Sequence, residues 1–395
     1  MTTVSGVLLA LAIALCVYTY LGYPALLQLL SLVARRGRRR AATGTPLPRI
    51  SIALPVYNEA NVIAATLERL LAIDYPADRR QIVVVSDAST DGTDVIVAGF
   101  AGRGVELVRR PRREGKTAAE NAARPYLTGE IIVNTDASVG IDAAAIKHLV
   151  AAFEDPTVGV ASARDVSVSS LDARANSGEG AYVGLEMGIR ALETAVSGIV
   201  GASGCLYAIR ADLHMHPLPD GLSRDFASAL IAREHGWRAV SVPQALCYVP
   251  RSASLQQEYR RKVRTMTRGL ATLAHKRALL NPFRYGAFAW MLFSHKVCRW
   301  IVPWALLGIL GVIAAWAFTS AMGAALLAAL AVLVVPGLVA WLRPTPGAVS
   351  MPRLLALPGY VVAGNVAAVH AWVRVLTGRH APVWEPTRRE VPASP

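Results

Sequence analysis

From residue 50 onward, short β-branched runs alternate with helical segments, and three of those runs lead directly into acids. Residues 50–54 lead into Val56-Tyr57-Asn58-Glu59, residues 81–85 into Ser86-Asp87, and residues 130–133 into Asn134-Thr135-Asp136. Few folds accommodate such a pattern. It predicts a parallel, doubly wound α/β sheet covered by helices on both faces. Ligands of open α/β sheets bind in the crevice outside the carboxyl ends of the strands, where these acids would lie. A fourth acid stands in Ser223-Arg224-Asp225-Phe226, ahead of a helical segment. Several carboxylates gathered there suit a divalent cation with a phosphorylated ligand, with one acid left to act as a base. The expected ligand is a nucleotide diphosphate.

The rest of the soluble part follows the same alternation. Helices are predicted over 59–72, 94–100, 116–123, 143–153, 181–194, 226–235 and 255–275. Further strands are predicted over 105–108, 158–164 and 239–242, and a glycine-rich turn leads into another before 209.

Both ends of the 395-residue chain are apolar, which lifts the hydrophobic fraction to 53% and the mean hydropathy to +0.38. Residues 4–33 are nearly uncharged, and about 20 apolar residues suffice to span a bilayer. Arg35, Arg36, Arg38, Arg39 and Arg40 follow at once, and no basic residue precedes the run as it would in a signal peptide. The positive-inside bias puts the N-terminus outside and the following domain in the cytoplasm. Three more apolar stretches cover 300–318, 322–342 and 354–375. The first two read as a hairpin. The third, with Pro358, Asn365 and His370, is open between a crossing and a re-entrant or interfacial segment. Residues 283–300 mix aromatics with Arg284, His295, Lys296 and Arg299, which suits a helix in the headgroup layer.

The expected organisation is a membrane helix (1–34), a basic linker (35–48), the α/β domain (49–280), an interfacial helix (281–299), a membrane region (300–376) and a basic tail (377–395). This describes a multi-pass protein of the cell membrane. The net charge of +14 is concentrated beside the apolar spans, at Arg35 to Arg40, Arg374, Arg379, Arg388 and Arg389. Anionic lipid headgroups explain it better than nucleic acid does. The four cysteines have no CxxC spacing and read as reduced thiols.

Each candidate also has a plainer reading. Asp91 reads as a turn and capping residue, whereas Asp87 reads as a ligand contact. Gly115-Lys116-Thr117 resembles the end of a P-loop, but Arg110 stands where that motif needs glycine, which argues against a nucleoside triphosphatase. Lys116 can still meet a phosphate, and Arg109 to Arg113 read as a solvated basic loop. Asp136 is the best candidate for a metal-bridging acid, and Asp225 is a base or an N-cap. Arg261 and Arg264 share a helix face and could grip a diphosphate or anionic lipid. His148, His214, His216 and His235 show no metal-ligand spacing.

Taken together, these motifs over about residues 48–275 make the chain resemble the membrane-bound family 2 glycosyltransferases, the group that includes cellulose, hyaluronan and poly-N-acetylglucosamine synthases. The resemblance implies a GT-A fold and a nucleoside diphosphate sugar donor, a UDP-sugar, bound with Mg²⁺ or Mn²⁺. It implies that Asn58, Glu59 and Asp87 meet the nucleoside and that Lys116 lies near the nucleotide. Asp136 would be the first acid of the DxD pair. Asp225 would be the acid of the TED motif, the general base for the acceptor hydroxyl. Gly204, within Gly201-Ala202-Ser203-Gly204-Cys205, would lie by the acceptor, and residues 383–389 resemble a tail of related bacterial enzymes.

Three positions depart from the family pattern. Ser138 replaces the second DxD acid, and Arg224 replaces the acid before the base. The QxxRW motif keeps its arginine as Arg264 but has neither Gln nor Trp, which weakens the case for a long polysaccharide. The expected activity is an inverting transfer, at the membrane, of a hexose-type sugar to a polysaccharide or lipid acceptor of the cell envelope. The alternative is a catalytically degenerate membrane scaffold, favoured by Ser138 and Arg224.

Overall fold

The computed structural model describes residues 3–34, 46–168, 177–250, 255–342 and 353–379. The Arg35 to Arg40 cluster, most of the basic linker and the tail beyond 379, including residues 383–389, lie outside the described residues.

Helix α1 (Thr3–Val17) runs through a π-turn (Tyr18–Gly22) into α2 (Tyr23–Ala34). The domain follows as β1 (Ile50–Val56), α3 (Ile63–Leu71), β2 (Arg80–Ser86), α4 (Thr93–Ala98), β3 (Val105–Arg109), α5 (Lys116–Ala123), β4 (Ile131–Thr135), β5 (Gly140–Ile141) and α6 (Ala145–Ala151). It continues as β6 (Val158–Val168), α7 (Ser177–Val196), β7 (Leu206–Arg210), α8 (Ala211–His214), α9 (Arg224–Glu234), β8 (Arg238–Pro250) and α10 (Leu255–His275). The C-terminal part comprises α11 (Pro282–Tyr285), α12 (Ala287–Leu292), α13 (Arg299–Ala317), α14 (Ala321–Leu342) and α15 (Arg353–Leu376).

The strands form one sheet in the order β3-β2-β1-β4-β7-β6-β8-β5. Pairings among β3, β2, β1 and β4 are parallel, as the alternation predicts. The other half corrects the expectation of a parallel sheet: β7 runs antiparallel to both β4 and β6. After α7 residues 197–205 carry the chain from Ala239, near the start of β8, to the end of β4 beside Thr135, so the next strand starts there and runs backwards. Strand β8 is also longer than the predicted 239–242, because its register with β6 shifts between Ala163 and Arg164 and the irregularity hides its continuation.

One face of the sheet buries Ile52, Leu54, Val56 and Val84 against Leu67, Ile146 and Leu149 of the covering helices. The other buries Ala53, Val83, Val85 and Ile132 against Ala119, Ala123, Ala227 and Ile231. A third cluster joins Tyr23 and Leu27 of α2 to Ile189, Phe226, Leu230 and Leu273 of the domain, and to Phe288, Met291 and Leu292 of α12.

Residues 281–299, expected as a separate interfacial helix, are not one separate helix: the short α11 leaves Phe283 fully exposed, and a second, longer helix begins at Ala287. After the short α11, helix runs unbroken from Ala287 to Ala317, and its first turns close the domain core because their aromatic and aliphatic residues share one face. Among the described residues two helices are long and apolar enough to cross a membrane, Val4–Ala34 and Ala287–Ala317. Shorter apolar helices cover Ala321–Pro336 and Tyr360–Leu376. Helix α15, the apolar segment with the open topology, packs its small residues Ala363, Ala367 and Ala371 inward and lies along α10. Tyr259 Oη of α10 meets His370 Nδ1 at 2.8 Å, and Lys262 Nζ sits 4.3 Å from the centre of the Tyr360 ring.

Candidate active site

Strand register decides which side chains meet. Val56 pairs with Ser86 and Ser86 with Arg109, so the residues just beyond them, Asn58, Asp87 and Arg110, gather at adjacent strand ends. Asp87 is buried, and its carboxylate accepts from Arg110 Nη1 (2.8 Å) and from the backbone N–H of Glu114 (3.0 Å) and Gly115 (2.6 Å). Asn58 adopts φ +51°, a conformation that costs a non-glycine residue roughly 1–3 kcal/mol. Hydrogen bonds hold it there: Asn58 N donates to Ser89 Oγ (3.1 Å), and Thr90 N donates to Asn58 Oδ1 (2.8 Å). Glu59 N donates to Thr93 Oγ1 (2.9 Å), while its carbonyl accepts from Val62 and Ile63 ahead of α3. Asp91 accepts from the N–H of Ala60 and Thr93, the turn role that its position predicts.

The loop of 109–113 corrects an expectation. Arg110 pairs with Asp87 and Glu114, Arg109 with Asp94, and the Arg113 guanidinium stacks 3.8 Å from the centre of the Tyr57 ring. Arg109 and Arg112, 54% and 80% exposed, are the members that fit a solvated loop. Arg110 is drawn inward because buried Asp87 needs partners, which a reading of neighbouring residues alone does not reveal.

The same loop leads to the next acid. Gly115 takes φ +100° as it donates to Asp87, and α5 begins with Lys116. Lys116 Nζ reaches Asp136 Oδ1 at 2.5 Å and the carbonyl oxygen of Gly204 at 3.1 Å. Asp136 follows β4, whose antiparallel pairing with β7 sets Thr135 opposite Leu206, so residues 204–205 come alongside it. Burial would weaken the Lys116 ammonium, but Asp136, Glu120 and Asp225 outweigh it and raise its pKa above the ordinary lysine value.

Gly204 in turn abuts Asp225. A Cβ built on Gly204 would lie 2.6 Å from Asp225 Oδ2, so a larger residue there would displace the carboxylate. Asp225 sits in the first turn of α9, where its Oδ1 accepts from the Ser223 hydroxyl and its peptide carbonyl from the Ser228 hydroxyl. A continuous series of contacts therefore runs from Asp87 through Gly115, Lys116, Asp136 and Gly204 to Asp225.

Three groups near this series are not among the expected site residues. Glu120 lies one turn after Lys116 and is buried. Tyr207 is buried on β7. Arg268 Nη2 donates to Thr117 Oγ1 (2.6 Å) and to the carbonyl oxygens of Asp220 (3.2 Å) and Leu222, holding the loop that leads to Asp225. A period-3.6 reading of α10 could have suggested Arg268, since it shares a face with Arg261 and Arg264. Arg261 makes a two-pronged pair with buried Glu258 (2.8 and 2.9 Å), so on α10 it is Arg268 whose contacts reach the Asp225 loop. Arg224 is directed into the core, with its Nε 3.7 Å from Glu120 Oε2.

On the remaining side, the Phe226 ring meets Trp300 edge-on at 6.2 Å between centroids, and Lys296 Nζ lies 5.7 Å from the Phe226 ring centre. The residue next to Asp225 thus touches the apolar helix Ala287–Ala317.

Among the described residues no group of three His, Cys, Asp or Glu side chains is placed to hold a metal ion. A lone Asp136 nonetheless fits a hard cation whose other ligands are phosphate oxygens and water, since Mg²⁺ often takes only one or two protein carboxylates. Such an ion would share Asp136 with the Lys116 ammonium.

Residues 51–203 match the family model for glycosyl transferase family 2. Over 157 residues the chain is 29% identical to beta-monoglucosyldiacylglycerol synthase of a Nostoc species, covering 39% of this chain and 34% of that protein. Over 110 residues it is 30% identical to dodecaprenyl-phosphate galacturonate synthase of Rhizobium johnstonii, covering 27% of this chain and 32% of that protein. The chain thus matches about a third of the length of these curated relatives. The mannosyltransferase of Pyrobaculum calidifontis, solved in complex with GDP-Man and Mn²⁺, superposes with a TM-score of 0.72 at 26% identity, covering 94% of this chain and all of that one. The mixed sheet is a GT-A fold.

Proposed function

Because residues 51–203 form a glycosyltransferase family 2 domain, we propose that the chain transfers one sugar from a nucleoside diphosphate sugar to a hydroxyl of a lipid or glycan acceptor at a bilayer surface, with inversion at the anomeric carbon. The observation that carries this reading is the contact series from Asp87 to Asp225. It sets a buried carboxylate, a lysine with raised pKa and two further acids along one sheet edge.

In this reading the loop of 110–115 receives the nucleoside, with the Tyr57–Arg113 stack beside it. Lys116 faces the diphosphate and stabilises the negative charge that builds on it as the glycosidic bond breaks. Asp136 would hold a divalent cation, Mg²⁺ or Mn²⁺, which supplies further charge neutralisation at the diphosphate. Asp225 takes the proton of the acceptor hydroxyl as that oxygen attacks from the opposite face. Arg261 and Arg264 lie on the α10 face that leads to Arg268 and are assigned to departing phosphate or anionic lipid.

A lipid acceptor is favoured over a long glycan. Phe226, beside the base, touches Lys296 and Trp300 near the start of an apolar helix, and basic and aromatic residues of that kind mark the headgroup level. The names of the Nostoc and Rhizobium relatives also carry lipid acceptors. Val4–Ala34 and Ala287–Ala317 are assigned as membrane spans, with the domain on the cytoplasmic side.

The test is a thermal-shift screen of purified protein against GDP-mannose, UDP-glucose and UDP-N-acetylglucosamine, with and without Mn²⁺, followed by transfer to diacylglycerol in mixed micelles. Stabilisation by a nucleotide sugar that depends on Mn²⁺ is expected. No stabilisation and no transfer with any donor would refute the proposal.

A further inference from the structure

Behind Asp225 the fold buries a second charge pair that the transfer scheme leaves unused. Glu120 and Arg224 are 2% and 3% exposed, and Arg224 Nε stands 3.7 Å from Glu120 Oε2, within ion-pair reach but too far for a hydrogen bond. Neither of these facing atoms has a hydrogen-bond partner among the described residues, and the same holds for nearby Tyr207 Oη and His214 Nδ1. The rest of the guanidinium is committed, through Nη2 to Asn121 Oδ1 and through Nη1 to the His214 carbonyl (3.3 Å).

Burying two charges costs several kcal/mol per ion before their attraction is counted, and an apolar pair of similar volume often does as well. Stability alone is therefore a poor reason for this pair, and its position offers a better one. Glu120 lies one turn after Lys116 on α5, and Arg224 immediately precedes Asp225 on α9. Their pairing ties the helix that carries the lysine to the turn that carries the acid. Thr117 Oγ1 donating to the Leu222 carbonyl (2.8 Å) and Asn121 Nδ2 donating to the Leu218 carbonyl (2.7 Å) strengthen the same seam.

We propose that Glu120 is a positioning residue for Asp225: it anchors Arg224 so that the first turn of α9 stays against α5. The inference rests on the reading of Asp225 as that base.

The groups facing Glu120 are Lys116 on its own helix, Arg224 and Asp225 on α9, Asp136 beyond β4, Tyr207 on β7 and Arg268 on α10. Burial raises the Glu120 pKa, Lys116 and Arg224 oppose the rise, Asp225 and Asp136 add to it, and the net direction is up from 4.5. The sign for stability follows. A carboxyl group that is harder to ionise when folded contributes stability below its unfolded value, and that contribution is lost as pH rises through the folded value.

The test uses the full chain in detergent, with thermal unfolding followed from about pH 4 to about pH 8 for wild type, E120Q, D225N and the double variant. Relative to E120Q, wild type is expected to lose stability as pH rises through this range. In the D225N background that difference between the Glu120 chain and E120Q should shrink. Equal pH dependence in wild type and E120Q, or strictly additive effects of the two substitutions, would overturn the proposal. Should E120Q not fold, R224Q is read in the same way: a steeper loss supports the pairing, and an unchanged slope overturns it.

With a turnover assay in hand, E120Q should lower kcat while the donor KM holds, because a displaced α9 turn misplaces Asp225 without touching the donor. An unchanged kcat counts against the positioning role. Near-wild-type transfer by D225N would instead refute the base assignment, and the stability cycle would still decide whether Glu120 and Asp225 are coupled.

Discussion

At the scale of single residues, the site depends on close approaches rather than on unusual residue types. Gly204 is the clearest case. G204A would drive a methyl group into Asp225 Oδ2 at 2.6 Å, so turnover should fall further than thermal stability, measured as kcat against melting temperature. D225N should lower kcat by about 100- to 10,000-fold, the range expected for loss of a general base, while nucleotide binding persists in thermal shift. K116M removes the contacts to Asp136 and Gly204 and should weaken donor binding by calorimetry, without the kcat-selective signature of D225N. Asp87, expected as a ligand contact, already accepts from Arg110 and two backbone amides. Its effect on a nucleoside would pass largely through the loop that it orders.

At the scale of elements, α10 is the strap of the site. Arg268 and Thr272 hold the loop of 218–223 from one side, through Thr117, Leu222 and Ser223 N, while α5 holds it from the other. R268M should therefore speed amide hydrogen exchange in residues 218–226 without altering exchange in β1 or β2. Equal exchange in the variant and the wild type would show that α5 suffices. Helix α5 itself is legible from sequence to the residue, because Gly115 and the alanines that follow are a plain start and body. Its partner surface is not, because Glu120 and Asn121 find their partners about a hundred residues away.

At the scale of the whole molecule, the apolar helices and the α/β domain share one buried network. Tyr23 Oη donates to Glu193 Oε1 at 2.6 Å, and His295 Nδ1 lies 2.6 Å from the same oxygen. His295 Nε2 and Arg299 Nη1 stand 3.1 and 2.7 Å from Glu186 Oε2. E193A leaves buried partners uncompensated and should destabilise the detergent-purified chain by about 3–5 kcal/mol, read as a lowered melting temperature. Deleting residues 1–34 would expose the surface that Tyr23 and Leu27 cover, and aggregation is the expected outcome by size-exclusion chromatography. A monodisperse, stable truncation would show that the network does not bind helix and domain into one unit.

The sequence alone determined the parallel half of the sheet, the acids at its carboxyl edge and the apolar ends, because each of these follows from spacing and composition within a few residues. Tertiary structure decided the reversed direction of β7, the inward turn of Arg110 and Arg113, the choice of Arg268 beside the Asp225 loop, and the union of residues 287–299 with the domain core. These depend on which distant segments meet, and a buried charge takes whatever partner the packing brings to it. Local pattern carries no record of that partner.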